Sequence, residues 1–196
     1  MAFSYQTSKL LMRKEVPSLD EVSQLAQRRG WPLLGDDDAN KGKYEVLWEP
    51  DPSSNFHYVE DGIVRMCYVS ISGATASIVQ HYADIVASEL DLLLLPEITE
   101  RVDAEEDPLS FGREIIRLGI AAPYTYDGGV YARISGALQS PDDRVRDMAL
   151  WAATYSPYAE YRPILRTVAE NDQVPRIRER AAMVLEAFDH AGVAEP

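Results

Sequence analysis

The chain has 196 residues, of which 46% are hydrophobic, and its mean hydropathy is −0.25, a composition typical of a globular protein and not of a disordered one. Its 32 acidic and 19 basic residues give a net charge of −13, shared by both halves of the chain. Such a surface repels phosphate backbones and anionic lipids, so we expect neither a nucleic-acid partner nor a membrane partner.

No targeting segment and no membrane span are expected. Residues 1–15 lack the apolar core of a signal peptide, and the longest aliphatic run, at residues 92–95, is far shorter than the ~20 residues of a spanning helix. The single cysteine, Cys67, excludes an internal disulfide. These features predict a cytoplasmic protein.

Residues 1–100 are predicted to form a small α+β module with the element order α-β-β-β-α and an antiparallel sheet. A helix is expected over 18–29, because Ser18 and Glu21 have the spacing of a capping box and Gly30 is a typical stop. The apolar residues between them recur at helical spacing, which favours a half-buried helix.

The strands are expected in the middle of this module. Residues 31–43 contain glycine, proline, asparagine and three successive aspartates, and they predict a loop. Apolar and polar residues alternate over 44–49, which indicates a strand with one buried face. Two further strands, over 56–60 and 63–72, flank the dipeptide Asp61-Gly62, which suits a type I′ hairpin. The second of these two strands is apolar on both faces and is predicted to be central.

The remainder of the chain is predicted to be helical. A helix over 75–92 is expected to pack on the sheet. The acidic stretch that begins at residue 96, and 101–109 in particular, is assigned to a connector between domains. No strand pattern follows, and the third part, 110–196, is expected to contain five helices, over 110–122, 128–139, 142–155, 159–170 and 174–190.

The helical part repeats itself. The stretches DDRVRDMALWAA and VPRIRERAAMVL match, with Arg146 and Arg178 at equivalent positions. In the helices that precede them, Tyr131 and Tyr161 correspond at a similar offset. A degenerate third copy surrounds Gly119. Self-similarity of this period predicts stacked helical hairpins.

A helix, a short loop and then Asp-x-x-Val-Arg-x-x-Ala resembles the HEAT repeat, including its phycobilisome-lyase-type variants, over residues 110–190. The resemblance implies a HEAT-like solenoid of about five helices, in which Arg146 and Arg178 bond to acidic or carbonyl groups of the adjacent repeat. The residues add that Asp142 would cap a helix. They also predict a buried stripe at Val145, Ala149 and Ala152. The first hundred residues resemble no family.

No phosphate-binding glycine loop, nucleophile elbow, paired-histidine helix or dinucleotide fingerprint is present, so no catalytic residue, cofactor or metal ligand is predicted. His57, His81 and His190 are far apart in sequence and are interpreted as surface or core histidines, and Cys67 as a core thiol. The segment 36–47 superficially resembles a calcium loop, but its sixth position is lysine and its twelfth is leucine, so we interpret it as a solvated acidic loop.

Six of the eleven tyrosines lie between positions 124 and 161. Tyr124 and Tyr126 follow one predicted helix end, whereas Tyr158 and Tyr161 follow an equivalent one, so Tyr124 and Tyr158 are expected to be neighbours. Half-exposed tyrosines are frequent anchors of protein interfaces, and these four are the predicted partner-binding residues. The alternative is that they cap the apolar ends of the hairpins.

The leading hypothesis is a non-enzymatic protein-binding module, and in a more specific form a bacterial inhibitor or immunity-type protein with a basic partner such as a nuclease toxin. The alternative is an enzyme related to HEAT-like lyases or hydroxylases, or a small-ligand binder with a site at the domain junction near Tyr124 and Tyr126. A third option is a structural subunit of an oligomer.

Overall fold

The computed structural model describes residues 5–13, 18–37 and 42–196. The chain is a mixed α+β protein that divides into two compact units, Met1–Leu94 and Leu95–Pro196. The first unit contains the sheet, and the second is helical. The predicted α+β class is therefore confirmed.

In the described part of the first unit, six strands form one sheet with the order β2-β3-β4-β5-β1-β6, and every pair of neighbours is antiparallel. The predicted central strand, β5, is an interior strand. The elements in chain order are β1 (Tyr5–Met12), α1 (Leu19–Arg29), β2 (Leu33–Asp37), β3 (Lys43–Asp51), β4 (Ser54–Asp61), β5 (Met66–Gly73), α2 (Ala76–Glu89) and β6 (Leu92–Leu93).

One face of the sheet packs with α1 and α2 into a single core. Phe56 and Val69 from the strands, and Leu25 and Val86 from the helices, are completely buried. Because side chains alternate along a strand, the intervening residues of β3, β4 and β5 lie on the opposite face. Cys67 belongs to the core and is 7% exposed, which confirms its prediction as a core thiol.

Three of the described strands were not predicted, and the shortest of them, β6, lies at the end of the helix predicted over 75–92. β1 pairs with β5, which lies far away in sequence, and β2 lies within the predicted loop 31–43. Among the described strands, β2 is an edge strand that pairs only with β3, for instance Asp36 with Val46. An edge strand needs hydrogen bonds on one side only, which allows glycine and aspartate there. Residues 38–41, which the calcium-like segment includes, lie outside the described residues.

The predicted hairpin between β4 and β5 is confirmed, but the prediction of a two-residue turn is wrong. Asp61 pairs with Met66, so the loop spans 62–65, and Arg65 has a left-handed φ of 57°. The Asp61 carboxylate accepts bonds from the backbone N–H groups of Ile63 at 3.1 Å and Val64 at 3.4 Å. These bonds stabilise the longer turn.

The predicted limits of the first two helices are close to those observed. Gly30 ends α1 with a left-handed φ of 69°, as predicted, but the Ser18 side chain makes no capping bond to that helix. Instead, the Ser18 backbone N–H donates to the Tyr58 hydroxyl at 2.9 Å. Thr75 caps α2 by accepting a bond from the Ile78 N–H.

The second unit contains six α-helices and a short 3-10 turn, and all its residues are described. The five predicted helices are present, with ends close to those expected. The elements are α3 (Leu95–Ala104), α4 (Pro108–Ala121), α5 (Gly128–Ala137), α6 (Asp143–Tyr155), the 3-10 turn (Ala159–Tyr161), α7 (Arg162–Asn171) and α8 (Pro175–His190).

The predicted connector is largely a helix. α3 covers most of the acidic stretch from residue 96, and the segment 101–109 consists of the end of α3, a short turn and the start of α4. Ile98 and Val102, one helical turn apart, are 0% and 3% exposed. Two apolar residues at that spacing anchor one face of a helix whose other positions are largely polar.

Within this unit α4 packs on α6, α6 on α8, and α7 on α8. The predicted stripe in α6 is confirmed, since Val145, Ala149 and Ala152 are at most 1% exposed. Asp142 caps α6 by accepting a bond from the Arg144 N–H at 2.9 Å. Gly119 in α4 allows the backbones of α4 and α6 to approach closely, because a Cβ atom there would lie 2.5 Å from the Ala152 carbonyl oxygen.

Candidate functional site

The four tyrosines predicted to bind a partner differ in exposure. Tyr124 and Tyr126 are 66% and 51% exposed, whereas Tyr158 and Tyr161 are 5% and 0% exposed. The Tyr158 hydroxyl donates to the Pro123 carbonyl oxygen at 2.8 Å and so joins the turns that precede α5 and α7. Tyr158 and Tyr161 therefore support these turns, as the capping alternative expects, and do not offer surface anchors. Tyr124 and Tyr126 stay predicted anchors.

Four tyrosines at these turns form a closed cluster, in which each aromatic ring contacts two of the others. Tyr126 contacts Tyr158 at 5.5 Å and Tyr131 at 5.8 Å between ring centroids, and Tyr161 contacts the same two rings at 5.6 and 5.2 Å. Tyr126 is thus the ring neighbour of Tyr158, where Tyr124 was expected. Burial raises the pKa of Tyr158 and Tyr161, so both remain neutral phenols. The cluster of four tyrosines packs together and supports the ends of the hairpins.

The repeated arginines make the same contact in each copy. Arg146 Nη1 donates to the Ser140 carbonyl oxygen at 2.9 Å, and Arg178 Nη1 donates to the Asp172 carbonyl oxygen at 2.6 Å. The two donor residues, Arg146 and Arg178, are as far apart in sequence as the two acceptor residues, Ser140 and Asp172. Arg146 also donates to the Asp172 carboxylate at 2.7 and 2.9 Å. These contacts agree with the structural role predicted for the two arginines.

An apolar groove lies between α6 and α8 and encloses about 230 Å³. Trp151 and Met183 lie on its two sides with the same sequence offset as the repeated arginines, and Met183 is 67% exposed. The groove was not predicted from the sequence. The repeats were compared at the positions expected to be buried, whereas Met183 is an exposed position. The lining residues are Leu150, Trp151, Thr154, Arg180, Met183, Val184 and Ala187.

Arg180 connects the groove to acidic side chains. Its guanidinium carbon lies 5.0 Å from the centre of the Trp151 ring, a cation–π distance, and its Nη1 donates to Asp147 at 3.1 Å. Glu179 and Glu186 lie on α8, and Glu186 is exposed. The second unit has eighteen acidic and eleven basic residues, a formal charge of −7. The groove is therefore an apolar strip within an acidic unit.

The three histidines have different surroundings. His57 on β4 lies between two polar side chains, with Nδ1 2.5 Å from Glu45 Oε1 and Nε2 2.9 Å from Ser72 Oγ. His81 contacts the ring of the next residue, and His190 is exposed at the end of α8. The arrangement around His57 was missed because its members come from three strands with no motif spacing.

The sheet face that carries His57 also carries basic residues. Lys9 of β1 pairs with Ser70 of β5, and Lys43 Nζ lies 3.1 Å from the buried Asp61 carboxylate. Burial lowers the pKa of Lys9 to about 8, and the charge of Lys43 contributes to the shift. Protonation of Lys9 is therefore costly in the folded protein.

Over residues 5–13, 18–37 and 42–196, no group of three or more histidine, cysteine, aspartate or glutamate side chains is arranged to hold a metal ion. None of the helices described in those ranges combines the length and the apolar character needed to cross a membrane.

Comparison with known proteins found no relative, since no protein-family model, curated protein or solved structure matches this chain. The resemblance to HEAT repeats therefore depends on the repeats within the chain itself.

Proposed function

We propose that the helical unit is a protein-binding module whose docking surface is the groove between α6 and α8. The observation that carries the proposal is the placement of Trp151 and the exposed Met183 at equivalent positions on the two sides of the groove. Tryptophan is enriched at binding hot spots, and methionine adapts to irregular apolar surfaces.

The size of the groove favours a side chain of a protein partner over a small molecule. Small-molecule pockets usually enclose roughly 300–1,000 Å³, whereas this groove encloses about 230 Å³. One large apolar side chain of a partner would fill it. Arg180, held over the Trp151 ring by Asp147, would form one wall of the contact.

The charge of the unit favours a basic partner. Its formal charge is −7, and Glu186 is exposed on the helix that carries Met183. Opposite charges increase the association rate of two proteins. In its more specific form, the proposal is an inhibitor or immunity-type protein that covers a basic protein such as a nuclease toxin.

We infer further that the hairpins are HEAT-like repeats. The inference is supported by the arginine-to-carbonyl contact that recurs at the equivalent positions Arg146 and Arg178. It is also supported by the close packing of α4 on α6 at Gly119. Stacked helical repeats present extended surfaces to protein partners, which agrees with the proposed role.

Affinity capture from the native host with one matched pair of variants tests this proposal. Met183→Glu places a charge in the groove, and Leu109→Glu makes the same charge change at a 40% exposed residue of α4. The unaltered chain and Leu109→Glu are expected to retain a stoichiometric basic partner. Met183→Glu is expected to lose at least about tenfold in affinity, since a buried unpaired charge costs more than about 1.4 kcal/mol.

The turn before α5, which carries the exposed Tyr124 and Tyr126, is the competing surface for a partner. If Tyr124→Ala abolishes capture and Met183→Glu does not, the partner binds the turn and the groove assignment fails. If the unaltered chain captures no stoichiometric partner, the binding proposal itself fails. Capture should also weaken as salt increases, because the proposed attraction is between opposite charges.

A further inference from the structure

The polar residues around His57 are aligned by strand register. Leu47 of β3 and Ser70 of β5 are the direct partners of His57 on its two sides. Glu45 and Ser72 each lie two positions from these partners, so the three polar side chains share the sheet face opposite the core. Glu45, His57 and Ser72 therefore lie on three adjacent strands of one sheet.

Both ring nitrogens of His57 have a defined partner. Nδ1 lies 2.5 Å from a Glu45 carboxylate oxygen, and Nε2 lies 2.9 Å from the Ser72 hydroxyl. The hydrogen bond with His57 holds the pKa of Glu45 below its usual range, so this carboxylate is ionised and accepts a bond from Nδ1–H. A ring that carries its one proton on Nδ1 presents Nε2 as the acceptor for the hydroxyl proton of Ser72.

Solvent reaches this group of residues. The side chain of His57 is 18% exposed and that of Glu45 is 44% exposed, and Ser72 is partly exposed. A serine whose proton can pass to an oriented histidine is an activated nucleophile. The connectivity of serine to Nε2 and of Nδ1 to a carboxylate is that of the serine hydrolase triad, which is recognised by geometry and not by sequence order.

We propose that Ser72, His57 and Glu45 form an acyl-transfer site in the first unit, with Ser72 as the nucleophile, His57 as the general base and Glu45 as the residue that positions His57. The chemical class of substrate is a carboxylic ester. This proposal does not depend on the protein-binding role of the helical unit.

The reaction balances without a cofactor. Ser72 Oγ attacks the ester carbonyl carbon while its proton passes to His57 Nε2. The bond between the acyl carbon and the alcohol oxygen then breaks, and the alcohol leaves with the proton from His57. Water attacks the acyl-serine by the same route, which releases the carboxylic acid and restores the Ser72 hydroxyl.

Covalent labelling with an alkyl fluorophosphonate tests the site in the full chain. Ser72 Oγ would displace fluoride from phosphorus and form a stable phosphonyl ester, which peptide mass spectrometry locates. The matched control is Ser70→Ala, because Ser70 lies on the same strand and the same face and is also partly exposed. The unaltered chain and Ser70→Ala should be labelled at Ser72, and Ser72→Ala should not be labelled.

The roles of the other two residues have separate readouts. His57→Gln should slow labelling by a factor on the order of 10²–10⁴, the usual contribution of a general base. Glu45→Gln should slow labelling at Ser72, because the Nδ1–H of His57 would lose the carboxylate that orients the ring, and Glu45→Asp, which keeps a carboxylate, should restore part of the rate. p-Nitrophenyl acetate hydrolysis should follow the same order among the variants.

The proposal fails if Ser72 of the unaltered chain is labelled no faster than Ser70. It also fails if labelling at Ser72 is unchanged in His57→Gln, since the serine would then react without its base. Circular dichroism of each variant checks that its fold is kept. Labelling of Glu45→Gln at the rate of the unaltered chain, or of Glu45→Asp at the rate of Glu45→Gln, would overturn the positioning role of Glu45.

Discussion

Arg146 and Asp172 bind each other across two helical hairpins, and each also supports its own turn. The guanidinium donates twice to the Asp172 carboxylate and once to the Ser140 carbonyl oxygen. The carboxylate also accepts a bond from the Val174 N–H at 2.8 Å. Two hairpin turns therefore depend on one ion pair.

The first prediction concerns the stability that this pair provides. The side chains of Arg146 and Asp172 are 13% and 6% exposed, so the pair lies between exposed and fully buried ion pairs. Arg146→Ala should lower the free energy of unfolding by about 2–3 kcal/mol, and Arg146→Lys by less. Arg144→Ala is the control, because Arg144 is a well-exposed arginine of the same helix, and its urea midpoint should stay close to that of the unaltered chain.

The second prediction concerns the pH dependence of the same pair. Hydrogen bonds from Arg146 lower the pKa of Asp172 in the folded protein. The stabilisation by the ion pair is therefore complete above the pKa of an aspartate in the unfolded chain, which is about 4. It is lost as the pH falls through the lower pKa of Asp172 in the folded chain. The stability difference between the unaltered chain and Arg146→Ala should therefore be constant from about pH 7 to 5 and shrink below about pH 4. A difference that persists unchanged to about pH 2 would contradict this assignment.

The third prediction compares two helical glycines. A Cβ atom on Gly119 would lie 2.5 Å from the Ala152 carbonyl oxygen, whereas one on Gly136 would meet nothing within 4 Å. Gly119→Ala should therefore destabilise the protein by about 2–3 kcal/mol, because α4 must move away from α6. Gly136→Ala should stabilise it by up to about 1 kcal/mol through helix propensity. Thermal unfolding of the two variants should shift in opposite directions.

Local patterns predicted the helices better than the strands. The helix predicted over 174–190 is α8 (Pro175–His190), because its apolar period, its first-turn proline and its length all lie within the segment itself. β1 and β2 depend on pairing with other strands, and their own sequences carry no clear alternation. α3 was missed because the acidic residues around it obscure the two buried apolar residues that anchor it.

The candidate sites were harder to predict for a related reason. Glu45, His57 and Ser72 lie on three different strands at no recognised motif spacing, and strand register alone brings them together. Tyr158 and Tyr161, in contrast, were expected to be half-exposed because they lie at a turn. Both are buried, because the turn before α7 folds its rings against Tyr126 and Tyr131.

The fourth prediction concerns the Tyr58 hydroxyl, which accepts a bond from the Ser18 N–H at 2.9 Å and donates to Glu60 at 3.0 Å. Tyr58→Phe leaves the buried N–H at the start of α1 without its acceptor. The free energy of unfolding should fall by about 1–3 kcal/mol, the usual cost of an unsatisfied buried donor. Tyr124→Phe, at a 66% exposed position, is the control and should leave the urea midpoint unchanged.

The fifth prediction concerns Lys9, whose pKa is lowered from 10.5 to about 8 by burial and by Lys43. Below about pH 8 the lysine is protonated in both the folded and the unfolded chain, so the folded state carries the full cost of the buried charge, at most about 3 kcal/mol. As the pH rises from about 8 to 10.5 the folded protein loses this proton first, and the cost decreases. The stability of the unaltered chain should therefore rise relative to Lys9→Met across this interval. Lys9→Gln, a second neutral replacement, should give the same trend, and a difference independent of pH between about 7 and 10 in both variants would show that Lys9 stays protonated in the fold.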